Sequence, residues 1–132
     1  MGKGFVMSLP FTIGTDIVSV RRMQQAIERQ GQRFLDRIFT PDEQNYCKRK
    51  KNKYENYAAR FAAKEAVIKA KKGGRGRYAF RDIEVVRKLN GAPAIQIDQK
   101  VRKKLNISLK AQFELTMAHE REFAIATVIL YE

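Results

Sequence analysis

The sequence predicts an α+β domain in which a mainly antiparallel sheet packs on one long helix, and three observations carry that prediction. An apolar, β-branched segment, FTIGTDIV, reads as a strand at Phe11–Val18. An alanine-rich stretch from about Lys53 to Lys72 has the composition and length of a helix. The second half then changes to the two-residue period of strands, and a strand followed by helices and a run of strands belongs to this class.

Each element has its own signal. Val20, Met23, Ala26 and Ile27 recur at helical spacing until Gly31 interrupts them, and Phe34, Leu35 and Ile38 resume a shorter stripe. Thr40-Pro41-Asp42-Glu43 reads as a helix start, with Thr40 as N-cap, Pro41 in the first turn and Glu43 closing a capping box. Gly73-Gly74-Arg75-Gly76 ends the long helix in a basic loop. Asp82–Lys88 and Ala94–Ile97 read as strands flanking the turn pair Asn90-Gly91. A short basic helix is expected from Asp98 to Leu105. Gln112–Ala118 and Phe123–Tyr131 form a second strand pair around His119-Glu120-Arg121-Glu122.

Composition narrows the function classes. At 132 residues the chain fits one domain, taken as 11–132 behind an N-terminal extension at 1–10 that lacks the long apolar run of a secretory leader. No apolar stretch is long enough for a membrane helix, so no membrane partner is expected. The one cysteine, Cys47, excludes an intramolecular disulfide framework and reads as a packing residue in a reducing, cytoplasmic setting. Lys and Arg total 27 against 14 Asp and Glu, a net charge of +13 that draws anionic partners. The run Lys48-Arg49-Lys50-Lys51-Asn52-Lys53, with Tyr46, Tyr54, Tyr57 and Tyr78 among basic residues, also admits a nucleic-acid-binding module. No RNP-like string, zinc spacing or KH-type loop supports that second reading.

Two carboxylates stand out. Asp16 lies inside an apolar strand, where a charge is costly unless it meets a cation or donors. On residue chemistry alone it could equally face solvent or cap the helix that follows. On the long helix, Phe61, Glu65 and Lys69 recur every four residues, as do Arg60 and Lys64; a Glu65–Lys69 surface ion pair is the plain reading.

In order along the chain, Gly14-Thr15-Asp16-Ile17-Val18 and Phe61-Ala62-Ala63-Lys64-Glu65-Ala66-Val67-Ile68-Lys69 resemble the two marks of the phosphopantetheinyl transferase family. Those marks are an upstream Asp and an aromatic-small-x-Lys-Glu-Ala-x-x-Lys helix. The resemblance extends through Phe80-x-Asp82-Ile83-Glu84-Val85, Gly91-x-Pro93 and Ala124-x-Ala126-Thr127-Val128-Ile129-Leu130. Chain length places it with the short, acyl-carrier-protein-synthase branch, whose members are similar in fold and assemble as trimers with active sites between neighbours.

The resemblance implies attack by a serine hydroxyl of an apo-acyl carrier protein on the β-phosphorus of coenzyme A, releasing 3',5'-ADP, in support of fatty acid biosynthesis. It implies Mg²⁺ held by Asp16 and Glu65, the two catalytic carboxylates, which suits a hard cation that takes few protein oxygens plus phosphates and waters. Lys64, Lys69 and Arg60 would hold the cofactor's phosphates. Gly73, Gly74, Gly91, Pro93 and His119 would line the nucleotide, although Gly73-Gly74 also serves as a helix stop and His119 also fits an exposed turn. Arg21 and Arg22 would dock the acidic carrier protein. The serine's base is Glu65 or a water on the metal. Three departures accompany the match: Ser19 where the family often has Glu, Ala92 in its Gly-Lys-Pro turn, and Thr116-Met117-Ala118-His119 in place of Ser-x-Ser-His.

Overall fold

The computed structural model describes residues 9–71, 74 and 76–132. Gly73 and most of the expected N-terminal extension lie outside the described residues. The α+β expectation holds, with one change in the sheet. The strands form two antiparallel sheets, not one.

The first sheet has the order β1 (Phe11–Ser19), β5 (Phe123–Tyr131), β4 (Gln112–His119). The second is a hairpin of β2 (Glu84–Arg87) and β3 (Pro93–Gln96). Strand β2 starts later than its pattern suggests because Phe80–Asp82 turns as a 3₁₀ helix, with the Ala79 N–H donating to the Asp82 carboxylate. Between α1 (Val20–Gln30) and the hairpin stand α2 (Gln32–Ile38), α3 (Pro41–Lys48) and α4 (Lys53–Ala70); α5 (Gln99–Lys104) follows the hairpin. The capping box forms as read, the Glu43 N–H donating to Thr40 Oγ1 and the Thr40 N–H to Glu43 Oε1. Such a cap is worth about 1 kcal/mol.

Helix α4 is the spine. Its alanines 58, 59, 62, 63, 66 and 70 are all buried, and small side chains let other backbones come close. Strand β1 uses this at Gly14, where an added Cβ would lie 2.1 Å from Ala66 O and 2.7 Å from Ala70 N. The Thr12 hydroxyl donates to Ala70 O at 2.6 Å on the same side. One core fills the space between α4, the sheet and the hairpin, around Val67, Ile83, Val85, Leu105 and Val128. A second joins α1, α2 and α3 to the start of α4 through Met23, Phe34, Ile38, Phe39 and Tyr57. Cys47 is wholly buried in this second core, and burial pushes its thiol up to about 12. It is a packing residue.

Strand alternation puts Thr12, Gly14, Asp16 and Val18 on the α4 side of the sheet and Phe11, Ile13, Thr15 and Ile17 on the other. That other face is apolar and open: Ile13 is 58% exposed, Ile17 61%, Phe123 47% and Ile125 41%. The register sets Ile17 beside Ile125 and Ile13 beside Ile129, so these side chains form one patch. Among the described residues no helix is long and apolar enough to cross a membrane.

Candidate active site

Strand β1 runs into α1 without a loop. Ser19 ends the strand and is the N-cap of α1, its hydroxyl accepting the Arg22 N–H at 3.2 Å. The cap is therefore taken, and Asp16 looks elsewhere. It faces α4, where Lys69 Nζ donates to Asp16 Oδ1 at 2.9 Å. The lysine side chain is 48% exposed and the aspartate 16%, so the pair is open to solvent on one side and contributes less than about 1 kcal/mol to stability. Glu65 stands one helical turn before Lys69 on the same face, and the Tyr78 hydroxyl donates to Glu65 Oε1 at 3.3 Å. A carboxylate of β1 is thus paired with an ammonium of α4, and a second carboxylate stands one helical turn before that ammonium.

This donor set fits Mg²⁺. The corner offers carboxylate oxygens and a phosphate-seeking cation, with no thiol or imidazole in the pairings just described. Among the described residues no three or more His, Cys, Asp or Glu are grouped so as to hold a metal ion by themselves. Two carboxylates with room for waters and phosphates suit Mg²⁺, whereas zinc favours three or four nitrogen and sulfur ligands.

The residue before Glu65 on α4 points about 100° away, and this changes the reading of Lys64. Its ammonium is completely buried, 2.8 Å from Glu43 Oε1, with its other two protons donated to Phe80 O at 3.1 Å and Ile83 O at 2.5 Å. Burial pulls its pKa down, while the Glu43 carboxylate pulls it back. Three donors meet three acceptors, so none is left for a phosphate. The expectation that Lys64 binds the cofactor gives way to a structural role: it faces α3 and β2, not the corner of Asp16.

Arg60 shares that face. It is 2% exposed and lies 4.1 Å from the Tyr46 ring, which Lys50 at 4.6 Å and Arg87 at 4.9 Å also approach. Its Nε has no hydrogen-bond partner among the described residues, a costly state for a buried donor. It borders a cavity of about 460 Å³ lined also by Asn45, Tyr46, Arg49 and Arg87. Pro93 is the strand partner of Arg87, and a Cβ added at Gly91 would lie 3.7 Å from the Arg87 guanidinium. Arg60, Gly91 and Pro93 therefore gather in a second, cationic group on the opposite side of α4 from Glu65.

The remaining expected residues lie apart from both. His119 Nδ1 is 2.9 Å from Glu55 Oε1 near the start of α4, ten residues and about 15 Å along the helix from Glu65. Gly74 is exposed, with a positive φ of 77° and its carbonyl accepting Lys71 Nζ. Arg21 and Arg22 are exposed in the first turn of α1. Tyr57 is 3% exposed and stacked on Phe39 at 4.9 Å, and Tyr46 is covered by cations, so neither is a platform for bases. Residue patterning missed Glu43 as a buried partner, since its capping-box position explained it already, and missed Tyr78 as a neighbour of Glu65.

The chain belongs to the 4'-phosphopantetheinyl transferase superfamily, whose profile matches residues 12–128. Within it, the chain is 43% identical over 117 residues to the holo-[acyl-carrier-protein] synthase of Halothermothrix orenii, covering 89% of this chain and 94% of that protein. It is 42% identical over 118 residues to the synthase of Chlamydia caviae, covering 89% and 93%. In three dimensions it is similar to the Helicobacter pylori holo-[acyl-carrier-protein] synthase in complex with coenzyme A. There the TM-score is 0.76 and the identity 34%, over 89% of this chain and 98% of that one. It is similar too to the Chronobacterium ammoniagenes ACPS–CoA complex, with a TM-score of 0.78 and 29% identity over 92% and 98%. The family read from the two sequence motifs is the family found.

Proposed function

We propose that the protein is a cytoplasmic holo-acyl-carrier-protein synthase that moves 4'-phosphopantetheine from coenzyme A to a serine of an apo-acyl carrier protein. The observation that carries the proposal is the Asp16–Lys69 pair between β1 and α4, with Glu65 one turn before Lys69, in a chain of this family. Asp16 and Glu65 are the residues to hold Mg²⁺, which when bound offsets the charge of the pyrophosphate. Lys69, released from Asp16, supplies a charge-assisted hydrogen bond to a phosphate oxygen. Glu65, or a water beside it, takes the serine proton as the Oγ–phosphorus bond forms. The bridging oxygen–phosphorus bond breaks in line with it, and 3',5'-ADP leaves. The unpartnered Arg60 Nε and the arginines around its cavity suit another phosphate of the same cofactor.

In one chain the cationic group and the carboxylate corner lie on opposite sides of α4. A site shared between copies would bring them together, and the open apolar sheet face supports a homotrimer. Placing a charge there by Ile17→Glu should leave monomers in light scattering and lower transfer. A trimeric, fully active variant would count against the assembly.

The direct test is intact mass of an apo-acyl carrier protein incubated with the enzyme, coenzyme A and Mg²⁺. Modification is expected and should vanish with chelator; a carrier of unchanged mass under every condition would overturn the reading. Arg22→Glu should raise the KM for the carrier by roughly tenfold at low salt and flatten its salt dependence, with the KM for coenzyme A unmoved. An equal rise in both would move Arg22 out of the docking surface.

A further inference from the structure

Three backbone partners of the Glu43–Lys64 pair lie on the segment that follows Tyr78. Lys64 donates to Phe80 O and Ile83 O, and Glu43 Oε2 accepts the Val85 N–H at 2.7 Å. The same carboxylate accepts the Thr40 N–H, and the Thr40 hydroxyl reaches Glu84 at 2.6 Å. One buried ion pair therefore fastens residues 80–85 to α3 and α4 at once. Just upstream, Tyr78 packs edge-on against Phe80 at 5.4 Å, and Phe80 against Phe61 at 5.2 Å. Phe61 lies one turn before Glu65 on α4. The aromatic stack thus ends with the Tyr78 hydroxyl on the Glu65 carboxylate.

Stability alone does not call for such a pair, because burying two charges costs about as much as their attraction returns, and apolar replacement of both is often neutral. What the pair supplies is direction: three backbone groups are fixed by two side chains that cannot shift without losing partners.

We infer that the Glu43–Lys64 pair is a positioning device that holds Tyr78 against Glu65, making Glu43 and Tyr78 positioning residues for the transfer reaction. The inference rests on the proposed function for what Glu65 does, but its geometry concerns this chain alone. The Tyr78 hydroxyl fixes the Glu65 carboxylate through Oε1.

Two variants test it, read by Mn²⁺ binding in electron paramagnetic resonance as well as by turnover. Tyr78→Phe keeps the ring stack and removes the hydroxyl. It should weaken Mn²⁺ binding and lower kcat by about tenfold each, with the KM for the carrier and the melting temperature unmoved. Glu43→Leu with Lys64→Met removes the pair while filling its space. This double variant leaves the backbone partners of the pair unpaired, so it should melt several degrees lower while staying folded at the assay temperature, and show the same losses. Wild-type Mn²⁺ affinity in Tyr78→Phe, or wild-type kcat in a folded double variant, would overturn the inference. Because Mn²⁺ binding is read without coenzyme A or carrier, a wild-type protein inactive in transfer would defeat the functional reading and leave this test intact.

Discussion

Glu65→Gln and Asp16→Asn should each lower phosphopantetheine transfer by at least about a hundredfold while leaving the melting temperature within a few degrees of wild type. Both substitutions keep side-chain volume and remove a charge. At about 1.4 kcal/mol per tenfold, loss of the several kcal/mol that a bound cation contributes to a phosphoryl transition state is an effect of this size. Stability should hold because neither residue is deeply packed: Asp16 meets an exposed lysine, and Glu65 is half-buried. Removing Asp16's charge also frees Lys69, so Asp16→Asn should not be rescued by raising coenzyme A. Intact-mass kinetics at saturating Mg²⁺ decide the matter, and a variant within tenfold of wild type would take that carboxylate out of the metal site.

Gly14→Val should be the most damaging single change to the fold. Its Cβ would enter the backbone of α4, 2.1 Å from Ala66 O, and neither side can give way. β1 is paired along nine residues with β5, from Phe11–Tyr131 to Ser19–Phe123, and α4 is packed on all sides. Overpacking against flexible side chains costs about 1–3 kcal/mol; a clash with backbone on both sides should exceed that. The expected result is a large fall in the urea midpoint or no soluble protein. Where some folds, Asp16 is pushed away from Lys69, so activity should fall further than stability accounts for. A variant with wild-type melting would mean that β1 and α4 are not in contact as described.

Much of this architecture is legible in residue patterning because it rests on local chemistry. The Thr40 capping box, the Gly31 break and the alanine-rich α4 each follow from near neighbours and appear where the sequence puts them. The division into two sheets is not local: it depends on the 3₁₀ turn at Phe80–Asp82 and on β5 inserting between β1 and β4. The site divides the same way. Asp16 and Glu65 were readable together only through the two family motifs, since spacing alone allowed a cap and a surface pair. Lys64 and Lys69 look alike in sequence, yet one is sealed against Glu43 and the other half-open beside Asp16. No pattern within α4 distinguishes them, because the difference is made by what α3 and the hairpin place opposite each.

The loopless passage from β1 into α1 carries a last implication. Ser19 belongs to both elements, and the following Val20 N–H is tied to Glu122 O at 2.9 Å. The grip on a protein substrate proposed at Arg22 and the attack on phosphorus proposed near Asp16 would thus be stations on one stiff rod with no joint between them. An enzyme built this way would choose among carriers by angle of approach more than by tightness. A carrier seated a few degrees off should occupy the surface, present its serine to empty space, and act as an inhibitor.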